Sequence, residues 1–319
     1  MKKLIFYMNM FVSIAPSIAL ANLVLDITNK LHIPNNTILK IKHHLILKYI
    51  ENKYKDIIDN NKQLPAKIKT AESNQYLWLF WWQGLQDAPE LVKKCISSIQ
   101  ASAPLNKQVI ILDKYNYMQW LKVNPLIIRK VESGLITLTH FSDILRMGLL
   151  SQYGGLWVDA TIYAGRPIPV SIWEKEFYSN HTPVIGDHFV SKGEWSGFLI
   201  GGCNLKLFKF CYAIFEQYWI NHNYLIDYFF LDYCIKLATI YFKDINDIIH
   251  ESDNNDKIYQ LQSIMNLPYE DSIYRKTLKD NLFHKLNRKE TFLSQTSAGA
   301  KTTYSVWITS CSNLSSKES

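Results

Sequence analysis

The chain has 319 residues, of which 48% are hydrophobic and 20% are charged. This composition excludes a largely disordered protein, and the length is sufficient for one large α/β domain with an accessory segment or for two modest domains. The net charge of +7 arises at the N-terminus, because residues 1–70 hold 11 lysines against 4 acidic residues and the remainder is balanced. No zinc-finger spacing or RNA-binding signature accompanies these lysines, so we expect no nucleic-acid partner.

The first 21 residues resemble an export signal. Two lysines precede an uncharged stretch, and Ala19-Leu20-Ala21 fits a signal-peptidase site. Asn9 and Pro16 interrupt the apolar region, so an interfacial anchor or the first helix of the fold is an equally good interpretation. We expect a cytoplasmic protein that can associate with the inner membrane, with export through a signal peptide as the alternative.

A basic amphipathic helix is predicted from Thr37 to about Asn60, where apolar residues recur at helical spacing among lysines. We interpret it as an accessory helix that covers the main domain, with contact to a membrane surface as the alternative. The polar stretch 60–74 is predicted to be a linker. The expected organisation is an accessory segment over 1–70, a main domain over 71–310 and a loose tail over 311–319.

The main domain is predicted to begin with a strand, a helix and a second strand. Tyr76 to Trp82 is typical of a buried strand, Asp87 is predicted to cap the helix, and Val109 to Leu112 is the next strand. A unit of this length is typical of parallel nucleotide-binding sheets, which bind ligands beyond the carboxyl ends of their strands. Trp81 and Trp82 lie near the carboxyl end of the first strand, where a ring can stack on a base, with a position in the core as the alternative. Asp113 follows the end of the second strand.

The segment from His140 to Thr161 interrupts an apolar run with polar residues. Ser142 is predicted to cap a helix, with Asp143 near the positive end of the helix dipole. Because most sides of this helix are apolar, we expect it to be buried. Asp143 and Arg146 lie three residues apart and share one face of the helix, and a buried charged face needs a partner.

The same segment continues into a turn and a strand. Gly154 and Gly155 allow the positive φ that ends a helix, and Leu156 to Val158 is a short strand with Asp159 at its carboxyl end. Capping alone does not require an acidic residue at that end, so the combination indicates a ligand site.

Two acidic residues lie in a later helix, predicted over Leu225 to Phe242. Asp227 and Asp232 are five residues apart and therefore do not share one helical face, which argues against a paired-carboxylate site. Asp232 lies among aromatic residues and is expected on the acceptor side of the site, whereas Asp227 is expected to interact with the helix dipole.

The pattern S-D-x-x-R-x-x-x-L-x-x-x-G-G-x-x-x-D, from Ser142 to Asp159, resembles the sugar-binding region of glycosyltransferases that carry a DxD motif. The stretch FSDILRMGLLSQYGGLWVDAT is similar to capsular polysaccharide synthesis proteins, as are WWQG, APELVKKCISSI, VIILDKYNY, LIDYFFLDY and HKLNRK. The resemblance extends from about Tyr76 to Lys289. It implies a GT-A fold, in which a Rossmann-like sheet with flanking helices binds a sugar nucleotide and the C-terminal half forms the acceptor side.

The resemblance also implies roles for individual residues. Asp143 and Arg146 would contact hydroxyls of the donor sugar, and Asp159 would contact the ribose or the sugar, so these three are the expected catalytic residues. The remaining expected donor-binding residues are Trp82, Gln83, Asp113 and Gly155.

A divalent cation, Mn²⁺ or Mg²⁺, would bridge the diphosphate in such enzymes, held by the second acidic residue of the DxD motif. That position is Thr161 here, so the expected metal ligands are Asp159 and, weakly, Thr161. Lys285, Arg288 and Lys289 are candidates for closing over the diphosphate.

The expected function is that of a hexosyltransferase, retaining by analogy only. It would move a sugar from a nucleotide-sugar donor, a UDP-sugar, to an oligosaccharide or lipid-linked glycan acceptor in surface polysaccharide synthesis. Thr161 motivates one alternative, a non-catalytic protein that binds nucleotide sugars or glycans on a degenerate scaffold. The signal-like N-terminus motivates another, an exported transferase-like effector.

Overall fold

The computed structural model describes residues 2–67, 74–182, 189–250 and 257–310. Four helices come first: α1 (Lys2–Ser13), α2 (Pro16–Lys30), α3 (Asn36–Lys53) and α4 (Lys55–Lys62). The single helix predicted over Thr37 to Asn60 is therefore two helices, which meet at Tyr54, a residue outside helical geometry with a buried ring. Helix α4 takes up the start of the predicted linker, and the predicted tail over 311–319 lies outside the described residues.

The elements of the main domain alternate between strands and helices in its first half. They are β1 (Tyr76–Phe80), α5 (Glu90–Ser102), β2 (Gln108–Leu112), a 3₁₀ turn (Tyr117–Gln119), α6 (Pro125–Glu132), α7 (Leu138–Tyr153), β3 (Gly155–Val158), β4 (Ile162–Ala164), α8 (Ser171–Glu174), β5 (Phe177–Ser179) and β6 (Leu199–Gly202). The second half consists of α9 (Lys206–Asn221), α10 (Phe230–Tyr241), α11 (Lys243–His250), α12 (Gln260–Ile264), α13 (Asp271–Asp280), β7 (Phe283–Lys285) and α14 (Thr303–Thr309).

A five-stranded sheet with the order β2-β1-β3-β6-β5 forms the centre. Strands β2, β1 and β3 are parallel, whereas β6 runs antiparallel to both β3 and β5. A separate ladder pairs β4 with β7 in antiparallel register. Helices cover both faces of the sheet, which confirms the predicted α/β class. Because β1, β2 and β3 are parallel, their carboxyl ends lie at one edge, followed by Trp81, Asp113 and Asp159.

Successive side chains of each strand point to opposite faces of the sheet, so the apolar core consists of two clusters, one on each face. Trp78, Trp157 and Ile200 face one apolar cluster, which includes α7, α9 and α10 and also the buried residues of α1–α4. Leu77 and Leu156 face the other cluster, which includes α5 and β7. The N-terminal helices thus share a core with the main sheet.

Helix α3 lies against α10. Lys42 Nζ donates to Asp227 Oδ2 at 2.7 Å, and His43 Nδ1 lies 2.7 Å from the hydroxyl of Tyr233. Ala19 and Ala21, which belong to the candidate signal-peptidase site, are buried within α2. Within the described part of the chain, none of the helices combines the length and hydrophobicity needed to cross a bilayer.

Two helix starts differ from the sequence expectations. Helix α5 begins after Pro89, whose backbone is extended, and no side chain caps its first turn. Asp87 therefore does not cap this helix. Helix α10 begins at Phe230 rather than Leu225. Asp227 therefore precedes the helix, where it accepts from the Phe229 amide at 2.9 Å and pairs with Lys42.

Candidate functional site

Helix α7 carries two of the predicted site residues. It begins after Thr137, whose hydroxyl accepts a hydrogen bond from the His140 amide at 3.2 Å, one turn earlier than the predicted cap at Ser142. Thr137 is extended and supplies the same capping oxygen, so the helix can start there. Asp143 consequently lies in the second turn, away from the exposed amides of the helix start, and its interaction with the helix dipole is weaker than predicted.

A buried hydrogen-bond chain joins α7 to the end of β3. The Arg146 side chain is 4% exposed; its Nη1 donates to Asp143 Oδ1 and its Nη2 donates to Asp159 Oδ1 at 3.1 Å. The guanidinium lies 4.9 Å from the centre of the Trp157 ring, and Trp157 Nε1 also donates to Asp159 Oδ1 at 3.1 Å. We define Asp143, Arg146 and Asp159 as the central triad. The partner that the sequence required for Asp143 and Arg146 is therefore Asp159, whose side chain is partly exposed.

Two glycines set the position of this chain. Gly154 and Gly155 have φ values of 64° and 96°, which only glycine adopts without strain. A Cβ at Gly155 would lie 2.3 Å from the carbonyl oxygen of Tyr76, so the glycine lets β3 approach β1. Gly155 therefore acts through the backbone, because it sets the course of the strand that ends at Asp159.

The second carboxylate oxygen of Asp159 contacts Lys285 from the end of β7. Lys285 Nζ donates to Asp159 Oδ2 at 3.0 Å and to Thr161 Oγ1 at 2.7 Å. Burial raises the pKa of Asp159, but the charges of Lys285 and Arg146 outweigh that effect and hold it below its ordinary value. Asp159 is therefore a carboxylate at neutral pH.

The arrangement of these side chains does not fit a divalent cation. Both carboxylate oxygens of Asp159 already accept hydrogen bonds, and Lys285 donates to Thr161, the other expected metal ligand. A divalent cation prefers several unoccupied anionic oxygens. Among the residues that the structure describes, His, Cys, Asp and Glu side chains form no cluster of three suited to a metal. Asp159 and Thr161 therefore do not offer free ligands to the expected Mn²⁺ or Mg²⁺.

Two cavities meet at Asp159 of the central triad. The first has a volume of about 270 Å³ and is lined by the ends of β1 and β3 together with Trp81, Trp82, Gln83 and Arg288. The second has a volume of about 370 Å³ and is lined by Asp143, Arg146, Lys285 and residues of the later helices. Thr139, Ser142 and Asp159 line both cavities, so the two form one continuous site with Asp159 at the junction.

Asp113 is the predicted donor-binding side chain that lines neither cavity. Its Oδ1 accepts hydrogen bonds from the amides of Tyr115 and Asn116, at 2.8 and 3.0 Å. These bonds fix the turn that follows β2. Asp113 therefore lies at the expected edge of the sheet, but its carboxylate stabilises the backbone there.

Asp232 lies in the second cavity with the central triad. Trp195 Nε1 donates to its Oδ1 at 2.8 Å. Burial is the largest cause that raises the pKa of Asp232 to about 7; the Trp195 bond lowers it, and the negative charge of Asp143 raises it further. A carboxyl group of this kind can exchange a proton near neutral pH. Asp227 is absent from both cavity walls, in agreement with the prediction that the two residues do not form a pair.

Several lining residues had no sequence signal of their own. Trp195 and Phe198 lie between α8 and α9 in a stretch without periodicity, and Tyr259 precedes α12. Tyr228 lies within LIDYFFLDY, a stretch noted for its acidic residues rather than its aromatic ones. An aromatic residue in a loop looks the same in sequence whether it packs in a core or lines a cavity.

A family model described as "capsular polysaccharide synthesis protein" matches residues 28–306, which is most of the chain. The chain belongs to this family. The match begins inside α2, so it also covers α3 and α4, for which the sequence offered no recognisable motif.

Members of the capsular polysaccharide synthesis family are not the only similar proteins. The chain is 26% identical over 121 residues to O-glycosyltransferase PaGT from Phomopsis amygdali; the alignment spans 35% of this chain and 30% of that protein. The chain is also similar to the crystal structure of a glycosyltransferase involved in the glycosylation of the major capsid of PBCV-1. That match has a TM-score of 0.33 and 12% identity, and it covers 67% of this chain and 93% of the other. The alignment with PaGT thus spans about a third of each protein, whereas the family match spans most of this chain.

Proposed function

We propose that this chain is a glycosyltransferase with a GT-A type of fold. It moves a hexose from a nucleotide sugar, a UDP-sugar, to an oligosaccharide or lipid-linked glycan in the synthesis of a capsular or other surface polysaccharide. The observation that carries the proposal is the central triad, whose Asp159 lies at the junction of two cavities. Both cavities have aromatic rings in their walls, and the second also has the carboxylates of Asp143 and Asp232. This combination matches a donor with a flat base and a hydroxyl-rich sugar, followed by an acceptor.

In this proposal the nucleotide occupies the first cavity. Trp81 and Trp82 offer rings for stacking, and the Arg288 guanidinium lies 5.3 Å from the Trp81 ring centre. Arg288 and Lys285 then place two positive charges along the path from the nucleotide to the junction. Negative charge on the diphosphate is stabilised by cations fixed in this way.

The donor sugar lies at the junction, within reach of Asp143 and Arg146. Asp143 is held by Arg146, so its oxygens are oriented before the sugar binds and can accept hydrogen bonds from its hydroxyls. Because Arg146 is held by both carboxylates and by the Trp157 ring, its side chain is fixed as well. This preorganisation favours the transition state, in which the sugar carries oxocarbenium character.

The acceptor enters the second cavity and meets Asp232. The proposed role of Asp232 is to accept a hydrogen bond from the attacking hydroxyl and to take its proton as the new bond forms. A base with a pKa of about 7 is half ionised at neutral pH and suited to this transfer.

A binding and turnover panel tests the proposal. The protein is incubated with UDP- and GDP-sugars, and unfolding temperature and release of nucleoside diphosphate are both measured. We expect at least one donor to raise the unfolding temperature and to be turned over. Asp159→Ala should abolish turnover, whereas Asp271→Ala, at an exposed position in α13, should leave it unchanged. If no donor binds or is turned over, the proposal is wrong.

A second candidate function is nucleotide-sugar binding without transfer. It is favoured by Thr161, which stands where a DxD enzyme has its second acidic residue. The same panel separates the two functions, because a binding protein would show the thermal shift without release of nucleoside diphosphate. The proposed location is the cytoplasm, with export as the alternative, and cell fractionation separates the two by whether the chain is found inside or outside the cell.

A further inference from the structure

Lys285 reaches the site because two short strands place it there. In the β4–β7 ladder, Ile162 pairs with Lys285, and the Leu286 amide donates to the Thr161 carbonyl at 2.9 Å. This pairing joins chain segments more than 120 residues apart and holds the lysine beside Asp159. The Phe198 ring, 5.1 Å from Nζ, covers another side of the ammonium.

The Lys285 ammonium lies between the two side chains that would hold a metal in a DxD enzyme. It donates one hydrogen bond to Asp159 and one to Thr161, while its third N–H makes no hydrogen bond within the described residues. Lys285 also lines the second cavity. The third N–H is therefore available to a ligand that enters the junction.

We infer that the Lys285 ammonium, rather than a divalent cation, neutralises the diphosphate of the donor. The inference rests on the proposed function. A threonine at position 161 is consistent with it, because a neutral hydroxyl can accept a hydrogen bond from the ammonium without adding a second negative charge. Asp159 is also paired with Arg146, so its charge does not depend on Lys285 alone and the ammonium can interact with a phosphate as well.

The transfer step balances without a metal. The bond between the anomeric carbon and the terminal phosphate oxygen breaks, and the electron pair remains on that oxygen. The acceptor oxygen forms the new bond to the carbon, and its proton passes to the Asp232 carboxylate. Lys285 supplies an N–H and a positive charge to the departing phosphate and exchanges no atoms.

Calorimetric binding of nucleoside diphosphates, with UDP as the first probe, tests the inference. Wild-type protein should bind UDP with the same Kd, within about twofold, in EDTA and in Mn²⁺. Lys285→Ala should weaken binding at least about tenfold, because it removes a cation from the phosphate site. Lys285→Arg should retain most of the affinity, and Lys279→Ala, at an exposed lysine of α13, should bind as wild type does.

The possible failures are distinguishable. If Mn²⁺ tightens UDP binding to the wild type about tenfold or more, or if Lys285→Ala binds UDP as wild type does, the inference about Lys285 is wrong and the proposed function stands. If UDP, GDP, ADP, CDP and TDP all fail to bind the wild type under either condition, the proposed function itself is wrong.

An independent observation concerns the first two helices. Nine of the 22 exposed large apolar residues in the described chain lie between residues 8 and 41. In α2 they follow helical spacing, at Leu20, Leu23, Ile27 and Leu31, whereas the buried residues Ile18 and Leu25 lie on the opposite face. Helix α1 adds Met8, Phe11 and Val12, exposed opposite the buried Met10.

We also propose that these exposed faces of α1 and α2 dock on an anionic lipid surface. The apolar residues are accompanied by positive charge, since α1 and α2 hold Lys2, Lys3 and Lys30 against one acidic residue, Asp26. An apolar face combined with excess lysine is complementary to a bilayer that contains acidic lipids.

Vesicle cosedimentation of the full chain tests this docking. We expect binding to phosphatidylethanolamine vesicles with about 30% phosphatidylglycerol, and weaker binding to phosphatidylcholine vesicles. Replacing Phe11, Leu20 and Leu31 together by serine should reduce the partition coefficient at least about tenfold. The matched control replaces Leu105, Ile273 and Leu293, which are equally exposed elsewhere, and should bind as wild type does.

Two outcomes would overturn the docking proposal. One is equal binding by the two triple variants. The other is a wild-type dimer that the Phe11, Leu20 and Leu31 variant converts to a monomer without any change in vesicle binding, because the apolar faces would then contact a second copy of the chain.

Discussion

Replacing Asp232 by asparagine should stabilise the protein while impairing its activity. The side chain lies in the second cavity, where burial raises its pKa from 3.8 to about 7. Asparagine has nearly the same shape and can still accept the hydrogen bond from Trp195, but it never ionises. The substitution therefore removes the cost of a buried charge and little else.

The size of the effect follows from the two pKa values. A tenfold change in proton affinity corresponds to about 1.36 kcal/mol, so the difference between 3.8 and about 7 corresponds to about 4 kcal/mol at pH 8. Asp232 faces an open cavity, and water there reduces the cost, so we expect the variant to gain about 2 kcal/mol.

The raised pKa of Asp232 also determines how the stability of the protein changes with pH. Because the folded state binds the proton more tightly than the unfolded state does, the stability contributed by Asp232 falls as pH rises from about 4 to about 7. The advantage of the asparagine variant should grow over the same range and should be about twice as large at pH 8 as at pH 5.5.

Thermal unfolding of both proteins at pH 5.5 and pH 8 measures this. A gain of about 2 kcal/mol should raise the unfolding temperature of the variant by about 4 °C at pH 8. If the variant is less stable than the wild type at pH 8, or if the difference is the same at both pH values, the assignment of Asp232 as a buried group with a raised pKa is wrong.

Three further predictions concern the site and its support. Arg146→Met should lower the free energy of unfolding by about 3 kcal/mol and weaken donor binding, because two carboxylates lose their buried partner. The control Arg275→Met removes an exposed pair and should change neither the stability nor the donor binding measurably. Gly155→Ala should cost about 3 kcal/mol or more, since its Cβ would meet a backbone oxygen, whereas Gly134→Ala, with a similar φ in open space, should cost about 1 kcal/mol. Donor turnover at saturation should rise between pH 6 and 8 as Asp232 ionises, and a profile that is flat or falling over that range would exclude Asp232 as the base.

The parts of the site that depend on local sequence were predictable. The helix, glycine turn and strand from α7 to β3 produce their own pattern, and the turn brings Asp143 and Arg146 back towards Asp159. The sequence predicts the N-cap of α7 at Ser142, whereas the helix begins after Thr137. Both residue types are good caps, so local propensity does not decide between them. The Trp82 and Gln83 positions followed from the end of a strand whose buried run was clear.

The parts that depend on distant segments were not predictable in the same detail. The sequence made Lys285 a candidate for the diphosphate, but its bond to Asp159 requires the pairing of β4 with β7, which no local pattern specifies. Asp113 followed the correct strand, but it forms a turn instead, because a short side chain can bond to nearby amides before it reaches a ligand. Trp195 contacts Asp232 from an aperiodic loop, and such contacts arise only when the chain is folded.

The most direct test of the central claim is nucleoside diphosphate release by wild type and Asp143→Asn. With nucleotide sugars supplied together with a glycan acceptor, the account predicts that the wild type releases nucleoside diphosphate and forms an extended glycan. Asp143→Asn should fold normally but lose at least about 100-fold in rate, because the carboxylate that orients the sugar is gone. Equal rates for the two proteins would contradict the claim that the central triad is the site of transfer.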